Sequence, residues 1–150
     1  MAKAYFQKLF SDKARDLQTK AGSRRSYALR EAQSPDAKDE LTEHEQSFIA
    51  ARDSVYIGSV GPDGWPYIQH RGGPAGFIKV LGNNQLGFAE YPGNKQYISL
   101  GNFAERPRVS MFFMDYPAQR RLKLIGLARV VTGAESPELI LKLFGNVQTD

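Results

Sequence analysis

The residues best suited to chemistry in this chain lie in three places. Gln69-His70-Arg71-Gly72-Gly73 closes a strand-like run, and its paired glycines would let the backbone approach a flat ligand while the polar side chains reach a phosphate or a ring edge. The same five residues also suit a bulge or sharp turn with solvated neighbours, so the residues alone leave both readings open. Gly93-Asn94-Lys95 precedes an expected helix, where backbone N–H groups, the helix dipole and an ammonium would converge on a phosphate. A glycine-asparagine turn is also ordinary loop chemistry. Arg121 and Lys123 alternate onto one strand face and either complete a site for a dianion or solubilise the strand end. His70 as a general base competes with a hydrogen-bonded histidine at a sheet end, which is the commoner role. No serine, cysteine or carboxylate pair stands in a nucleophile or acid–base signature, and no catalytic residue is assigned. That pattern suits a protein that binds and orients a redox ring and leaves the electron chemistry to it.

The elements that must position these residues come from a chain of 150 residues, 41% hydrophobic and 24% charged, enough for one domain with a single core. It has no cysteine and two histidines, His44 and His70, so disulfides, thiolate zinc sites and histidine-rich metal centres are not expected. No apolar run approaches the roughly 20 residues that span a bilayer, and the N-terminus lacks a signal peptide's apolar stretch. The chain is read as soluble and cytoplasmic, with no membrane partner. Its net charge of +4 fits a nucleic acid, a phosphate-bearing ligand or a solvated basic surface. A single RGG between two strands is unlike the repeated, disordered tails that bind RNA, and no nucleic-acid partner is expected.

Apolar residues Phe6, Leu9, Phe10 and Leu17 recur at helical spacing and predict one amphipathic helix over residues 4–17. Residues 20–40 read as a loop with a helical turn near Tyr27 to Glu31, making residues 1–40 an N-terminal helical arm. Thr42 and Glu45 form a capping-box pattern that opens a main domain over residues 41–150. Six strands follow, in SVYIGSV, WPYIQH, FIKVL, QLGFAEY, RVSMFFMDY and RLKLIGLARVV, with a helix in QYISLGNFAE before the last two and another in SPELILKLF after them. The expected fold is mainly β with flanking helices, its six antiparallel strands forming a small barrel. In the last strand Leu122, Leu124, Ala128 and Val130 share the core face, and Arg121, Lys123, Ile125, Leu127 and Arg129 the other. Because Phe112, Met114 and Tyr116 also lack the polar alternation of a solvated face, something must cover this side, and a second subunit is the expected cover.

In order, the segments GWPYIQHRGGPAGF, GFAEYPGNKQYISLGN, RPRVSMFFMDYP and RRLKLIGLARVV resemble the successive blocks of the pyridoxamine 5′-phosphate oxidase-like family, from about Leu41 to Val131. The resemblance is nearest to a branch of FMN-dependent enzymes with QHRGGP, QYISLGN and MDYP patterns. It implies a six-stranded split β-barrel, a homodimer, and FMN held by Gln69, His70, Arg71, Gly72, Asn94, Lys95, Ser99, Arg121 and Lys123. Lys95 falls on the family's phosphate-binding lysine. Gln69 replaces an arginine, Asn94 another arginine and Arg121 a glutamine, and relatives of this fold also hold deazaflavin or haem. The chain ends at FGNVQTD, where the branch continues into a further strand and tail, so its C-terminus reads as shortened. The C-terminal tryptophan and arginine of the vitamin B6 oxidases have no counterpart, and their activity is not expected.

The implied function is an FMN-dependent oxidoreductase acting on an unidentified small molecule. The alternatives are a non-catalytic flavin- or haem-binding protein and, from charge alone, a nucleic-acid-binding domain.

Overall fold

A computed structural model describes residues 3–34, 40–90 and 95–144. It divides into two compact units, Met1–Glu40 and Leu41–Asp150.

Among its described residues the first unit holds three helices, α1 (Lys3–Leu9), α2 (Asp12–Lys20) and α3 (Arg24–Gln33). Where one helix was expected over residues 4–17 there are two, because Ser11 is extended and its side chain accepts the Ala14 N–H, starting the chain afresh. Where a loop with one helical turn was expected, α3 runs for ten residues. Its support is partly its own and partly from residues that precede it in the chain. Glu31 is gripped by Arg24 at 2.5 Å and Arg15 at 3.0 Å, and Tyr27 packs edge-on to Phe10 with ring centres 5.4 Å apart. The Arg24 hydrogen bond, helped by Arg15, holds the Glu31 carboxyl below the usual carboxylate range.

The second unit opens with α4 (Glu43–Ala50), started by a complete capping box: the Thr42 hydroxyl accepts from the Glu45 N–H and the Glu45 carboxylate from the Thr42 N–H. Six strands follow, β1 (Ser54–Val60), β2 (Pro66–Gly72), β3 (Lys79–Gly82), β4 (Gln85–Gly87), β5 (Arg108–Asp115) and β6 (Arg120–Leu127), with α5 (Ile98–Glu105) before β5 and α6 (Pro137–Phe144) last. Their number agrees with expectation, but they pair as a four-stranded antiparallel sheet, β2-β1-β5-β6, and a separate β3-β4 hairpin, not as one six-stranded sheet. The sheet's core face carries Val55, Ile57 and Phe113, which with Ile49 and Ile78 are almost fully buried, and Met111, Leu122 and Leu124 pack around them. Val130, expected on this face, lies beyond the end of β6 and is half exposed.

At the far end of β5, Asp115 joins three groups: it accepts the Ala118 N–H in the β5–β6 turn, pairs with Arg52 at 2.9 Å and lies 3.8 Å from Arg120. The turn N–H, with the Arg52 and Arg120 charges behind it, holds its carboxyl below the usual range against the opposing effect of burial.

Candidate functional site

The pleat of β2 sorts the first candidate segment between two faces. Register pairs Arg71 with Val55 and Gln69 with Ile57, so both side chains point to the core face, while His70 pairs with Tyr56 on the exterior. Because β2 is the edge of its sheet, Gln69 and Arg71 are only partly covered and open into a cleft. Its walls are Tyr67, Gln69, Arg71 and Glu90 on one side and Lys95 to Leu100, at the head of α5, on the other.

Two buried polar residues one helical turn apart, Ser99 and Asn102, fix α5 against the sheet. The Ser99 hydroxyl donates to Gln69 Oε1 at 2.7 Å, and Asn102 Nδ2 donates to Ser59 Oγ at 2.9 Å. The helix is thereby tied to both β2 and β1, and its N-terminus faces the cleft. Tyr97, at the N-cap position, supplies no side-chain hydrogen bond to the first N–H groups. Lys95 and Tyr97 both hold positive φ, 58° and 53°, a conformation that non-glycine residues adopt at a cost of about 1 kcal/mol or more. Arg71 is ion-paired with Glu90, which the sequence reading had passed over, whereas Lys95 is exposed and without a charged partner among the described residues. The cleft can therefore offer an anion one ammonium, a guanidinium held by a carboxylate, and the N–H groups of an uncapped helix end.

Other expected site residues are placed elsewhere. Asn94, with Gly93, lies outside the described residues. Arg121 and Lys123 stand on the exterior face, opposite Met114 and Phe112, in the same four-strand row system as Tyr56 and His70. Within one chain seven of the nine residues thus fall into two groups: Gln69, Arg71, Lys95 and Ser99 at the cleft, and His70, Arg121 and Lys123 on the sheet face away from it. The exterior group has its own order, since the Tyr56 and His70 rings are 5.3 Å apart and the Tyr56 and Tyr116 hydroxyls 3.0 Å apart. Sharing that hydrogen bond raises the Tyr116 phenol above its ordinary range, with desolvation adding to the shift.

The glycines after Arg71 serve the turn. A Cβ on Gly73 would meet Phe77 Cγ at 2.8 Å, and Gly76 has φ of +77° with its N–H bonded to the Arg52 carbonyl at 2.9 Å. Gly72, at the last position of β2, has its nearest neighbours at 3.6 Å and is less confined.

The frame of the candidate site is thus a mainly β domain: a sheet of four antiparallel strands, a helix packed by polar contacts across its edge, and a cleft lined by Arg71, Lys95 and Glu90 between them. The family described as pyridoxamine 5′-phosphate oxidase matches residues 41–146, and the chain belongs to that family, which is of flavin-binding oxidoreductase type. A solved F420 reductase is similar in structure over 72% of this chain and 82% of its own, with 21% identity and a TM-score of 0.44. No curated protein matches the sequence.

No helix among the described residues is long and apolar enough to cross a membrane, and no cluster of three metal-ligating side chains occurs among them.

Proposed function

We propose that the protein is an FMN-binding flavoprotein, a dimeric FMN-dependent oxidoreductase acting on a small molecule, with the flavin phosphate in the cleft between β2 and α5. The observation that carries this reading is the meeting of Arg71, Lys95, Ser99 and an uncapped helix N-terminus at one cleft in a chain of this family.

The donor set fits a phosphate dianion. Lys95 supplies a flexible point charge, Arg71 a planar fork, and the first turn of α5 N–H groups that the Tyr97 side chain does not cap. Gln69 and Ser99, already bonded to each other, hold the wall of the cleft in place. A bound flavin would accept and pass on a hydride or electrons at its ring, which is chemistry no side chain here performs.

The second half of the proposal is the homodimer. His70, Arg121 and Lys123 lie on the sheet face away from the cleft, so a single chain cannot present them to the same ligand as Lys95. That outer face also carries Ile68 at 72% and Leu127 at 77% exposure, an apolar surface a second copy would cover. In this arrangement each site takes its phosphate cleft from one subunit and its His70, Arg121 and Lys123 side from the other, and the four-stranded sheet with the β3-β4 hairpin forms a split barrel.

The absorption spectrum of freshly purified protein, followed by titration with FMN and riboflavin, tests the reading. Expected are flavin bands, or quenching of flavin fluorescence on adding FMN, with FMN bound far more tightly than riboflavin. No binding at high micromolar FMN would refute it, and a haem band would replace FMN with the other cofactor.

A further inference from the structure

We propose that Glu90 is an internal anion that occupies Arg71 until a ligand of higher charge displaces it, so that Arg71 keeps an anionic partner in the empty cleft and part of the affinity for a phosphate monoester dianion is given up to that competition. The inference rests on the reading of the cleft as a phosphate site.

The two cations of the cleft are in different states. Lys95 is exposed and without a charged partner among the described residues, while Arg71 is held by the Glu90 carboxylate. Glu90 engages Arg71 through Nη2, one of the N–H groups with which a guanidinium forks a phosphate, so a phosphate that takes the Nη2 edge competes with Glu90 for it. Glu90 enters this contest with one negative charge and a phosphate monoester with close to two at neutral pH, so the dianion wins and a neutral ligand does not. The pair is also placed to open: the Glu90 side chain is 37% exposed and can swing into water, whereas the Arg71 side chain, at 21%, stays in the cleft wall. When the phosphate leaves, Glu90 returns, and Arg71 is never left partly covered without an anion. Lys95 sets attraction to the cleft, and Glu90 sets what a dianion must displace to be held there.

The test is titration of wild type, Glu90→Gln and Glu90→Ala with FMN and riboflavin, alone and in an Arg71→Ala background, with circular dichroism to verify the fold. Freed of its competitor, Arg71 should bind FMN about three- to tenfold more tightly in both Glu90 variants, with riboflavin unchanged. With Arg71 replaced, removing Glu90 should alter FMN affinity by less than about twofold, because the two residues act as one unit. Weaker FMN binding in the Glu90 variants, an equal change for both flavins, or the same gain without Arg71 would overturn the proposal. Should wild type bind no FMN, thermal shift with inorganic phosphate separates the two readings. Larger stabilisation of Glu90→Gln than of wild type would keep the role of Glu90 and discard the flavin. Equal stabilisation, or none in either protein, would discard the role of Glu90 as well.

Discussion

Lys95 is the residue on which the phosphate assignment turns. Its ammonium stands three positions ahead of α5, in a left-handed conformation, at a cleft with an uncapped helix end. Lys95→Ala should weaken FMN about ten- to hundredfold and leave riboflavin nearly unchanged, as read by fluorescence titration of both flavins. If Lys95 is only a solvated charge, both will change less than about threefold. Equal loss for both flavins would mean damage to the fold or to the ring site. At the other end of the sheet, Asp115 makes a prediction about acid stability. Its folded carboxyl titrates below the ordinary value, so it stabilises the fold above the unfolded value near 3.8, and this contribution is lost as pH falls through the folded one. Asp115→Asn should therefore lower Tm at neutral pH, where Arg52 loses its partner, and the gap from wild type should close in acid as pH falls through the lowered folded value of Asp115. A gap that persists there would assign the effect to packing of the turn.

At the scale of elements, the alternation of β2 decides what each of its polar side chains can do. Gln69 and Arg71 share the core face and His70 has the other, a division that follows from the two-residue period of any strand. The signal was present in the sequence, and treating Gln69 to Gly73 as one constellation overlooked it. The turn after β2 gives Gly73 a packing role, since Phe77 lies against it. Gly73→Ala should cost about 1–3 kcal/mol through that overlap and leave the ratio of FMN to riboflavin affinities unaltered. Chemical denaturation combined with the two titrations measures both, and a changed ratio at constant stability would return the glycine to the ligand site. The break between α1 and α2 teaches a similar lesson: the apolar spacing through Leu17 was helical throughout, but a serine that caps its own downstream helix outweighed it.

For the whole molecule, the two separated groups of candidate residues and the exposed Ile68 and Leu127 lead to one prediction about assembly. Wild type should sediment as a dimer, and Ile68→Glu, which sets a charge in the middle of the outer face, should give a monomer that binds FMN poorly although its own cleft is intact. A mixed dimer of Lys95→Ala and Arg121→Ala subunits sharpens this. If each site draws Lys95 from one subunit and Arg121 from the other, one of its two sites carries both substitutions and the other neither, so half of the wild-type FMN capacity should return. No recovery on mixing, with the mixed species confirmed by mass, would put both residues in the same subunit's site or remove Arg121 from it.

Much of this was open to reading along the chain, because the features concerned are local. The capping box at Thr42 and Glu45, the extent of β1, the end of α5 at Glu105 and the two faces of β6 at Leu122 and Lys123 depend on neighbours within a few positions. The family blocks added the cofactor class and the list of candidate residues. Which of those residues meet was a tertiary matter. Ser99 reaches Gln69 across 30 positions, and Glu90 finds Arg71 across 19, through strand register and helix docking that no local spacing encodes. The division of six strands into four and two, and the ten-residue α3 held from outside by Arg15 on Glu31 and Phe10 on Tyr27, have the same origin: contacts distant in sequence supply the free energy that local propensity alone leaves undecided.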